Sequence, residues 1–320
     1  MSFVSQIITR VRTFKRKVVY YLHYWSIRRF IAKRKGGKDY ADFLFNETFG
    51  HYIDWENPRD LNEVINYLEF CTDTTEWTRL SDKLLVRDYV KSKGLEDILV
   101  PLLGVWDDAR LIDFDSLPNK FVLKCNHDSG STHIIDKEKG FDKEHLVKDL
   151  NERLKVKYGY MNNEPHYNTI EPKIIAEKFI DLDSNGLSSS PIDYKLFCYN
   201  GNPDVIWVAY NRSKESVYHE TRDTNWMHKE DFEADDFYYK KGMGIIPKPL
   251  SLDRMLDAAR LLSQGYPQVR VDFYDVNGTL YFGEMTFTSD CGRMPFFSKE
   301  YLKLAGAKID LSLAKQFKMC

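Results

Sequence analysis

Apolar residues recur at helical spacing in several segments of the chain. The sequence NPRDLNEVINYLEF predicts a helix with Pro58 in its first turn and one apolar face, formed by Leu61, Val64, Ile65 and Leu68. SDKLLVRDYVKSKG predicts a second helix that ends at a turn at Gly94, and FDKEHLVKDLNERLKV predicts a third. SLDRMLDAARLLSQGY predicts a fourth, with Ser251 as its N-cap and an inward face of Met255, Leu256, Ala259 and Leu262.

Shorter apolar runs bounded by turn residues predict β-strands and hairpins. KFVLKCN is predicted to be a strand that returns through SGSTHIID around Gly130, and PKIIAEKFI is predicted to be another strand. DYKLFCYNGNPDVIWVAYNR predicts a hairpin about Asn200–Gly201, and VRVDFYDVNGTLYFGEMTF predicts a last hairpin. Because hairpins and helices alternate without a regular β-α-β rhythm, the fold class is predicted to be α+β.

Residues 1–38 are predicted to form a basic amphipathic helix and its linker. Eleven Lys and Arg residues and no acidic residue precede Asp39, which leaves 35 of the 46 basic residues against all 48 acidic ones. Apolar residues from Val4 to Trp25 fall on one side of this helix. Two interpretations stay open: the helix lies on the anionic inner face of a membrane, or it docks on its own globule or a partner. Nucleic acid is not expected as a partner, because the acidic remainder offers no second basic surface.

The composition favours a cytoplasmic location. The 320-residue chain is 43% hydrophobic and has no apolar run of membrane-spanning length. Its five cysteines are scattered and form no C-x-x-C pair, so a reduced, cytoplasmic protein without a structural zinc site is expected. Basic residues interrupt the short apolar runs near the N-terminus, which argues against a signal peptide.

The stretch KFVLKCNHDSGSTHIID, residues 120–136, concentrates side chains with chemical function. A hydrolase is disfavoured because no G-x-S-x-G pattern is present, and a zinc site is disfavoured because His127 and His133 lack a third ligand nearby. A phosphate-binding loop fits better, since Lys124 lies on a strand that leads into a hydroxyl-rich turn containing glycine. Lys124 is predicted to point to the face opposite Val122, and His133 is predicted to be structural.

The last hairpin places Asp272 and Glu284 on adjacent strands, where two carboxylates on one face would suit Mg²⁺ held against phosphates. A two-residue Asn277–Gly278 turn pairs Asp272 with Gly283 and puts Glu284 on the opposite face. A three-residue loop instead pairs Asp272 with Phe282 and leaves Glu284 diagonally on the same face. Turn propensity favours the first register and a metal site requires the second. The second register is predicted.

From about Asp82 to Leu311 the chain resembles the ATP-grasp superfamily and, within it, the TupA-like branch, found with genes for surface-polysaccharide and teichuronopeptide synthesis. The resemblance rests on five segments in order, namely SDKLLVRDYVKSKG, FVLKCNHDSGS, IIAEKFID, DYKLFCYNG with the later AYNR, and VRVDFY…YFGEMTF. It implies an ATP-grasp fold of two α+β subdomains that clamp ATP. The implied division is an N-terminal subdomain, a lid and a C-terminal subdomain with the metal-binding hairpin, over residues 39–120, 121–182 and 183–320.

The resemblance also implies the residues that bind the nucleotide. Lys83 would be the first nucleotide lysine and Lys124 the second. The flexible phosphate loop would be formed by His127, Ser129, Gly130 and Ser131. The hinge that holds adenine would comprise Glu177, Lys178, Phe179 and Ile180, with Asp181 near the ribose.

The residues of the reaction follow from the same resemblance. Lys195 and Arg212 would face phosphate or acyl-phosphate, and Arg293 in SDCGRMPF would contact the acceptor or a phosphate. The implied Mg²⁺ ligands are Asp272, Glu284 and, where the superfamily commonly has the Asn of a Glu-x-Asn motif, Thr286.

These residues imply an ATP- and Mg²⁺-dependent carboxylate–amine ligase that acts through an acyl-phosphate. The expected reaction joins an amino acid or another amine to a uronic acid of a surface polysaccharide, such as a capsule, or of its lipid-linked precursor. Alternatives are a glycan kinase, a glycosyltransferase of the same pathway, or a non-catalytic, membrane-associated polysaccharide-assembly module. The presence of both lysines and both carboxylates favours an enzyme over the module.

Overall fold

The computed structural model describes residues 30, 34, 36–181 and 186–315. Most of the predicted basic amphipathic helix within residues 1–38 lies outside the described residues, so its contact with a membrane or a protein stays a prediction. In the part of the chain that is described, no helix is both long enough and apolar enough to cross a membrane.

Helices and strands alternate along the chain, in agreement with the predicted α+β class. The α-helices are α1 Gly37–Phe49, α2 Leu61–Cys71, α3 Thr75–Ser81, α4 Val86–Ser92, α5 Lys143–Arg153, α6 Gly159–Asn162, α7 Leu252–Ser263 and α8 Lys299–Lys308. Short 3₁₀ helices lie at Glu96–Ile98, Ala109–Leu111, Pro165–Thr169, Glu230–Phe232, Ser289–Gly292 and Leu311–Leu313.

The helix predicted over SDKLLVRDYVKSKG forms only from Val86 onward. α3 ends at Ser81 and α4 begins only at Val86. The Asp82 carboxylate accepts hydrogen bonds from the backbone N–H groups two and three residues later, at 2.7 and 3.3 Å, and holds a turn where the helix was expected. Lys83 lies in this turn, and its Nζ donates to the carbonyl oxygen of Asp128 in the loop of residues 126–132.

The starts of two other helices also correct the predictions. Asp60 is the N-cap of α2, since its carboxylate accepts from the Glu63 N–H at 3.0 Å, and Pro58 therefore precedes the helix. Ser251 precedes α7, but its hydroxyl donates to the Asp275 carboxylate at 2.5 Å and caps no helix N–H. The predicted inward face of α7 is confirmed, because its four residues are buried.

Four antiparallel strands form the smaller sheet, in the order β1-β4-β2-β3. The strands are β1 Leu102–Trp106, β2 Lys120–Cys125, β3 His133–Asp136 and β4 Ile174–Lys178. The predicted hairpin of β2 and β3 is present, with Leu123 opposite His133. Because β1 pairs with β4, the boundary predicted between residues 120 and 121 cuts through this sheet, and we propose that the lid subdomain begins before β1 instead.

Six strands form the larger sheet, in the order β10-β9-β5-β6-β7-β8. They are β5 Asp193–Tyr199, β6 Asn202–Tyr210, β7 Val217–Asp223, β8 Tyr239–Lys241, β9 Gln268–Val276 and β10 Thr279–Thr286. All neighbours are antiparallel except β7 and β8. Asn200 and Gly201 join β5 to β6 with φ of 51° and 79°, the left-handed pair that the predicted two-residue hairpin needs.

Each sheet packs one face against helices. The larger sheet, with α2, α7 and α8, holds the largest apolar cluster, and the smaller sheet packs on α5 in a second cluster. Along β2 the residues alternate, so that Phe121, Leu123 and Cys125 are buried in this second cluster while Val122 and Lys124 face the other way. The opposite faces of the two sheets bound a cavity of about 770 Å³.

Candidate active site

The hairpin of β9 and β10 carries both predicted metal carboxylates. Its turn is the two-residue Asn277–Gly278 turn, with φ of 51° and 85°, so the predicted three-residue loop is wrong. A β-bulge between Phe282 and Glu284 then shifts the register by one residue, and Glu284 lies directly opposite Asp272. The two carboxylates therefore share one face of the sheet, but the bulge and not the turn brings them together.

Gly283 is the extra residue of this bulge, and a Cβ atom on it would lie 3.0 Å from the carbonyl oxygen of Asp272. Replacing Gly283 by alanine is expected to push this backbone aside and to destabilise the protein by about 1 kcal/mol, with up to about 3 kcal/mol for valine. Urea unfolding of both variants measures the effect, with Thr279→Ala at the exposed start of β10 as the control. Equal stability of Gly283→Val and the unaltered protein would contradict this role of the bulge.

Two cations bind the carboxylate pair directly. Arg270 donates from Nε to Asp272 Oδ1 at 2.7 Å, and from Nη2 to Asp272 Oδ2 at 2.8 Å and Glu284 Oε1 at 3.0 Å. Lys195, opposite Asp272 on β5, donates its Nζ to the same carboxylate. The sequence motifs do not single out Arg270. The signal that identifies it is its spacing of two residues from Asp272, because such residues on a strand share a face.

Burial and these cations act in opposite directions on the two carboxyl groups. Burial raises the pKa of Asp272, and Arg270 and Lys195 oppose the rise. Burial would also raise the pKa of Glu284, but Arg270, Lys195 and Lys83 outweigh it and lower that pKa to about 2. Glu284 is therefore ionised at neutral pH, and 40% of its side chain is exposed to a ligand in the cavity.

The carboxylate pair fits Mg²⁺ by the chemistry of its donors. No group of three or more His, Cys, Asp or Glu side chains among the described residues is arranged to hold a metal ion. Mg²⁺ in nucleotide sites is usually held by one or two carboxylates together with substrate phosphates, and Asp272 and Glu284 supply two. The Thr286 hydroxyl is hydrogen-bonded to Glu284 Oε1 at 3.2 Å. Arg270 and Lys195 donate hydrogen bonds to these carboxylates. A cation that binds the carboxylates must therefore replace some of those hydrogen bonds.

The two predicted nucleotide lysines face the cavity from different segments. Lys83, in the turn after α3, donates its Nζ to the carbonyl oxygen of Asp128, and burial lowers its pKa. Lys124 on β2 lies with its Nζ 2.6 Å from Glu177 Oε2. Val122 lines the same cavity as Lys124, so the prediction that they point to opposite faces is wrong. The physical reason is the strand period of two, which puts residues two apart on one face.

The loop between β2 and β3 contributes Ser129, Gly130 and Ser131 to the cavity wall. The Ser131 hydroxyl donates to Asp128 Oδ1 at 2.5 Å and accepts from the Cys125 N–H at 2.9 Å, and these bonds close the loop on itself. Gly130 has φ of 83° with open space around it, so the tip of the loop leaves room for a ligand.

His127 does not contribute to the cavity wall, contrary to its predicted place in the phosphate loop. Its ring is buried, and Nε2 lies 3.2 Å from the carbonyl oxygen of Val156, on the side away from the cavity. His133 pairs with Asp149 at 2.9 Å, a structural contact as predicted. The histidines of this stretch thus connect the loop to α5 and to the segment after it.

The segment predicted to be the adenine hinge comprises the last two residues of β4 and the three residues after it, and it lines the cavity. Its lining residues are Glu177, Lys178, Phe179, Ile180 and Asp181. Glu177 Oε2 pairs with Lys124 Nζ, and Glu177 Oε1 lies 3.5 Å from Nη1 of Arg87. Val122, Ile134 and Phe282 add apolar side chains to the lining of the cavity.

The two arginines predicted at the reactive end differ in position. Arg212 lines the cavity and donates from Nη2 to Asp193 Oδ2 at 3.0 Å. Arg293 does not line it, and its Nη1 donates to the carbonyl oxygen of Cys291 at 3.1 Å. The predicted contact of Arg293 with a phosphate in this cavity is therefore not supported by its position.

An antiparallel four-stranded sheet and a mixed six-stranded sheet that enclose lysines, a glycine-containing hydroxyl loop and paired carboxylates are typical of an ATP-grasp protein. The profile of the TupA-like ATP-grasp family matches residues 63–310, and the chain belongs to this family.

Solved structures of ATP-grasp ligases are similar to this chain at low identity. D-alanine–D-alanine ligase from Bacillus anthracis, complexed with ATP, has 14% identity and a TM-score of 0.40, over 68% of this chain and 57% of that chain. D-cycloserine synthetase DcsG has 14% identity and a TM-score of 0.43, over 80% of this chain and 84% of that chain. The chain thus spans less than two thirds of the Bacillus anthracis ligase. No curated protein matches the sequence.

Proposed function

We propose that this protein is an ATP- and Mg²⁺-dependent carboxylate–amine ligase. The observation that carries the proposal is the convergence of Lys83, Lys124, Asp272 and Glu284 on one cavity from separate segments of the chain. Such a set serves phosphoryl transfer, because catalysis of that reaction depends chiefly on positioning and on charge stabilisation. Membership of the TupA-like ATP-grasp family supports the same class of chemistry.

In the proposed reaction a substrate carboxylate oxygen attacks the γ-phosphorus of ATP, the bond to ADP breaks, and an acyl-phosphate forms. Lys83 and Lys124 bind the phosphates and neutralise charge that develops during transfer. Mg²⁺, when bound by Asp272 and Glu284, would supply Lewis-acid stabilisation of phosphate oxygens. An amine then attacks the acyl carbon, phosphate leaves, and an amide remains. The lid and its phosphate loop exclude water from the acyl-phosphate.

The proposed carboxylate substrate is a uronic acid of a surface polysaccharide or of its lipid-linked precursor. The TupA-like family resemblance supports this class of substrate, and the basic residues 1–38 support a place at the inner face of the membrane, where such precursors lie. A globular part held at that surface would receive ATP from the cytoplasm and the lipid-linked acceptor from the membrane.

Thermal unfolding with ATP and Mg²⁺ tests the nucleotide site. A ligand that binds only the folded state stabilises it by about 2.7 kcal/mol at 100 times Kd, so the unaltered protein is expected to show a Mg²⁺-dependent rise in Tm. Asp272→Asn is expected to lose the Mg²⁺-dependent part of that rise. Asp253→Asn, whose side chain is 93% exposed on α7, is the matched control.

Two results would decide against the proposal. Absence of any adenine-nucleotide shift in the unaltered protein would favour the non-catalytic assembly module. An equal Mg²⁺-dependent shift in Asp272→Asn and the unaltered protein would remove Asp272 from the metal site.

A further inference from the structure

The loop of residues 126–132, between β2 and β3, has buried and exposed side chains in close succession. Four of its residues are at most 3% exposed, namely Asn126, His127, Asp128 and Ser131. Ser129, Gly130 and Thr132 are exposed, and together with Asp128 and Ser131 they line the cavity. The exposed residues can therefore meet a ligand, while the buried ones fix the shape of the loop.

The Ser131 hydroxyl is fully used inside the protein. It donates its one hydrogen to Asp128 Oδ1 at 2.5 Å and accepts from the Cys125 N–H at 2.9 Å. The phosphate oxygens of ATP are hydrogen-bond acceptors near neutral pH. Ser131 can therefore donate to a phosphate only by breaking its hydrogen bond to Asp128.

Asp128 places a negative charge in the wall of a cavity that is proposed to receive phosphates. By charge alone, this carboxylate opposes the binding of ATP. Its Oδ1 accepts from Ser131, its Oδ2 lies 3.6 Å from Arg153 Nη1 on α5, and its backbone carbonyl oxygen accepts from Lys83 Nζ. A favourable contribution of Asp128 to nucleotide binding has to come from the groups that it holds in position, and not from its charge.

Lys83 is connected to the same loop by further contacts. Its backbone N–H donates to the carbonyl oxygen of Asn126 at 3.1 Å, and Asn126 Nδ2 donates to Asp82 Oδ1 at 2.9 Å. An ammonium group has three hydrogens, so two remain for phosphate oxygens after the hydrogen bond to Asp128. The position of the Lys83 ammonium group thus depends on the conformation of the loop at Asp128.

We propose that Asp128 and Ser131 form a latch that positions the loop and Lys83 for the nucleotide phosphates. The latch is the hydrogen bond from Ser131 Oγ to Asp128 Oδ1. It keeps the Asp128 carbonyl oxygen directed at Lys83 and leaves open space around Gly130 at the tip of the loop. Asp128 and Ser131 are positioning residues, and neither bonds a phosphate. The inference rests on the proposed nucleotide site and gives Ser131 a different task from the phosphate contact expected from the sequence.

Substitutions at the two residues separate the latch from a direct phosphate contact. Asp128→Ala and Ser131→Ala each break the hydrogen bond, whereas Asp128→Asn keeps an acceptor oxygen for Ser131 and removes the charge. Calorimetric titration of the full-length protein with a non-hydrolysable ATP analogue and Mg²⁺ measures the affinity. Urea unfolding without nucleotide measures the stability of each variant. Ser116→Ala is the matched control, because the Ser116 hydroxyl donates to the carbonyl oxygen of Asp113 at 2.8 Å, is exposed and does not line the cavity.

Asp128→Ala and Ser131→Ala are each expected to weaken binding of the analogue by about 10-fold, which corresponds to the loss of one hydrogen bond to a charged group. The double variant is expected to bind less than about threefold more weakly than either single variant, because both changes break the same hydrogen bond. Asp128→Asn is expected to bind at least as tightly as the unaltered protein, since it keeps the latch and removes a repelling charge. The control is expected to stay within about twofold.

The other outcomes overturn the inference in distinguishable ways. If Ser131 itself donates to a phosphate, Ser131→Ala weakens binding but Asp128→Ala strengthens it, because the hydroxyl is freed and a negative charge is removed. Lower stability with unchanged affinity in both alanine variants makes the hydrogen bond structural only. Equal weakening in Asp128→Asn and Asp128→Ala assigns the effect to the charge of Asp128, and additive losses in the double variant assign it to two separate contacts. If the unaltered protein binds no adenine nucleotide, the proposed ligase function fails first, and the inference fails with it.

Discussion

Lys124→Met is expected to weaken ATP binding by about 10–100-fold, since a hydrogen bond to a charged group contributes about 1.5–3 kcal/mol. Turnover is expected to fall further, by about 10²–10³-fold, because a donor aimed at developing phosphate charge acts most in the transition state. The Lys124 side chain lies on the cavity face of β2 and is 19% exposed, so its ammonium group meets the ligand with little competition from solvent. Methionine keeps most of the length of the side chain and removes the ammonium group with its charge and its hydrogen-bond donors.

The fold is expected to survive this change, because Glu177, the present partner of Lys124, retains Arg87 at 3.5 Å. Titration with a non-hydrolysable ATP analogue and Mg²⁺ measures the affinity, and phosphate release in the presence of D-glucuronic acid measures turnover. Lys139→Met, in the turn after β3, is the control, since that side chain is 82% exposed and its nearest carboxylate lies 3.7 Å away. Unchanged affinity and turnover in Lys124→Met would remove the lysine from the phosphate site.

The strands and hairpins were predictable because their signals are local. The dipeptide Asn-Gly favours two-residue hairpin turns. Both hairpins have such a turn, at Asn200–Gly201 and at Asn277–Gly278. The alternation of buried and less buried residues along β2 likewise follows from the sequence. The strand period of two puts Val122 on the same face as Lys124 and not on the opposite face. Helix α7 was predictable from its apolar face alone.

Features that depend on distant contacts were not predictable from local signals. In the sequence, Gly283 looks like an ordinary residue of a strand. Only the pairing of β10 with β9 shows that Gly283 is the extra residue of a β-bulge. The turn at Asp82 depends on two hydrogen bonds that its carboxylate accepts. One comes from the backbone N–H two residues later, and the other comes at 2.9 Å from the side-chain amide of Asn126, 44 residues later in the chain. The His127 ring lies against the carbonyl oxygen of Val156, a contact across 29 residues that no spacing rule specifies.

Arg270 stabilises two carboxylates that lie on one face of a sheet. Their mutual repulsion and their burial both favour protonation, as the raised pKa of Asp272 reflects. The guanidinium spans both groups with three charged hydrogen bonds, and the pKa of Glu284 consequently falls to about 2. Both carboxylates are thereby held on one face of the sheet. A cation that binds them has to replace hydrogen-bond donors, but the strands do not have to rearrange.

Arg270→Met is therefore expected to destabilise the protein by about 3 kcal/mol, the lower end of the range for removing one partner of a buried ion pair. The lower end applies because Lys195 still bonds Asp272, whose side chain is 5% exposed. Urea unfolding measures the difference in the free energy of unfolding. Arg260→Met is the control, since its pair with Asp257 on α7 is about half exposed or more on both sides and contributes at most about 1 kcal/mol.

A second substitution separates lost charge pairing from lost packing. If the cost of Arg270→Met arises from an uncompensated carboxylate, then Asp272→Asn in the same chain removes that carboxylate. The double variant is then expected to be less destabilised than the sum of the two single variants by at least about 1 kcal/mol. Additive costs would show that Arg270 stabilises the sheet through its packing alone. A loss below about 1 kcal/mol for Arg270→Met would contradict the view that this residue holds the carboxylate pair in place.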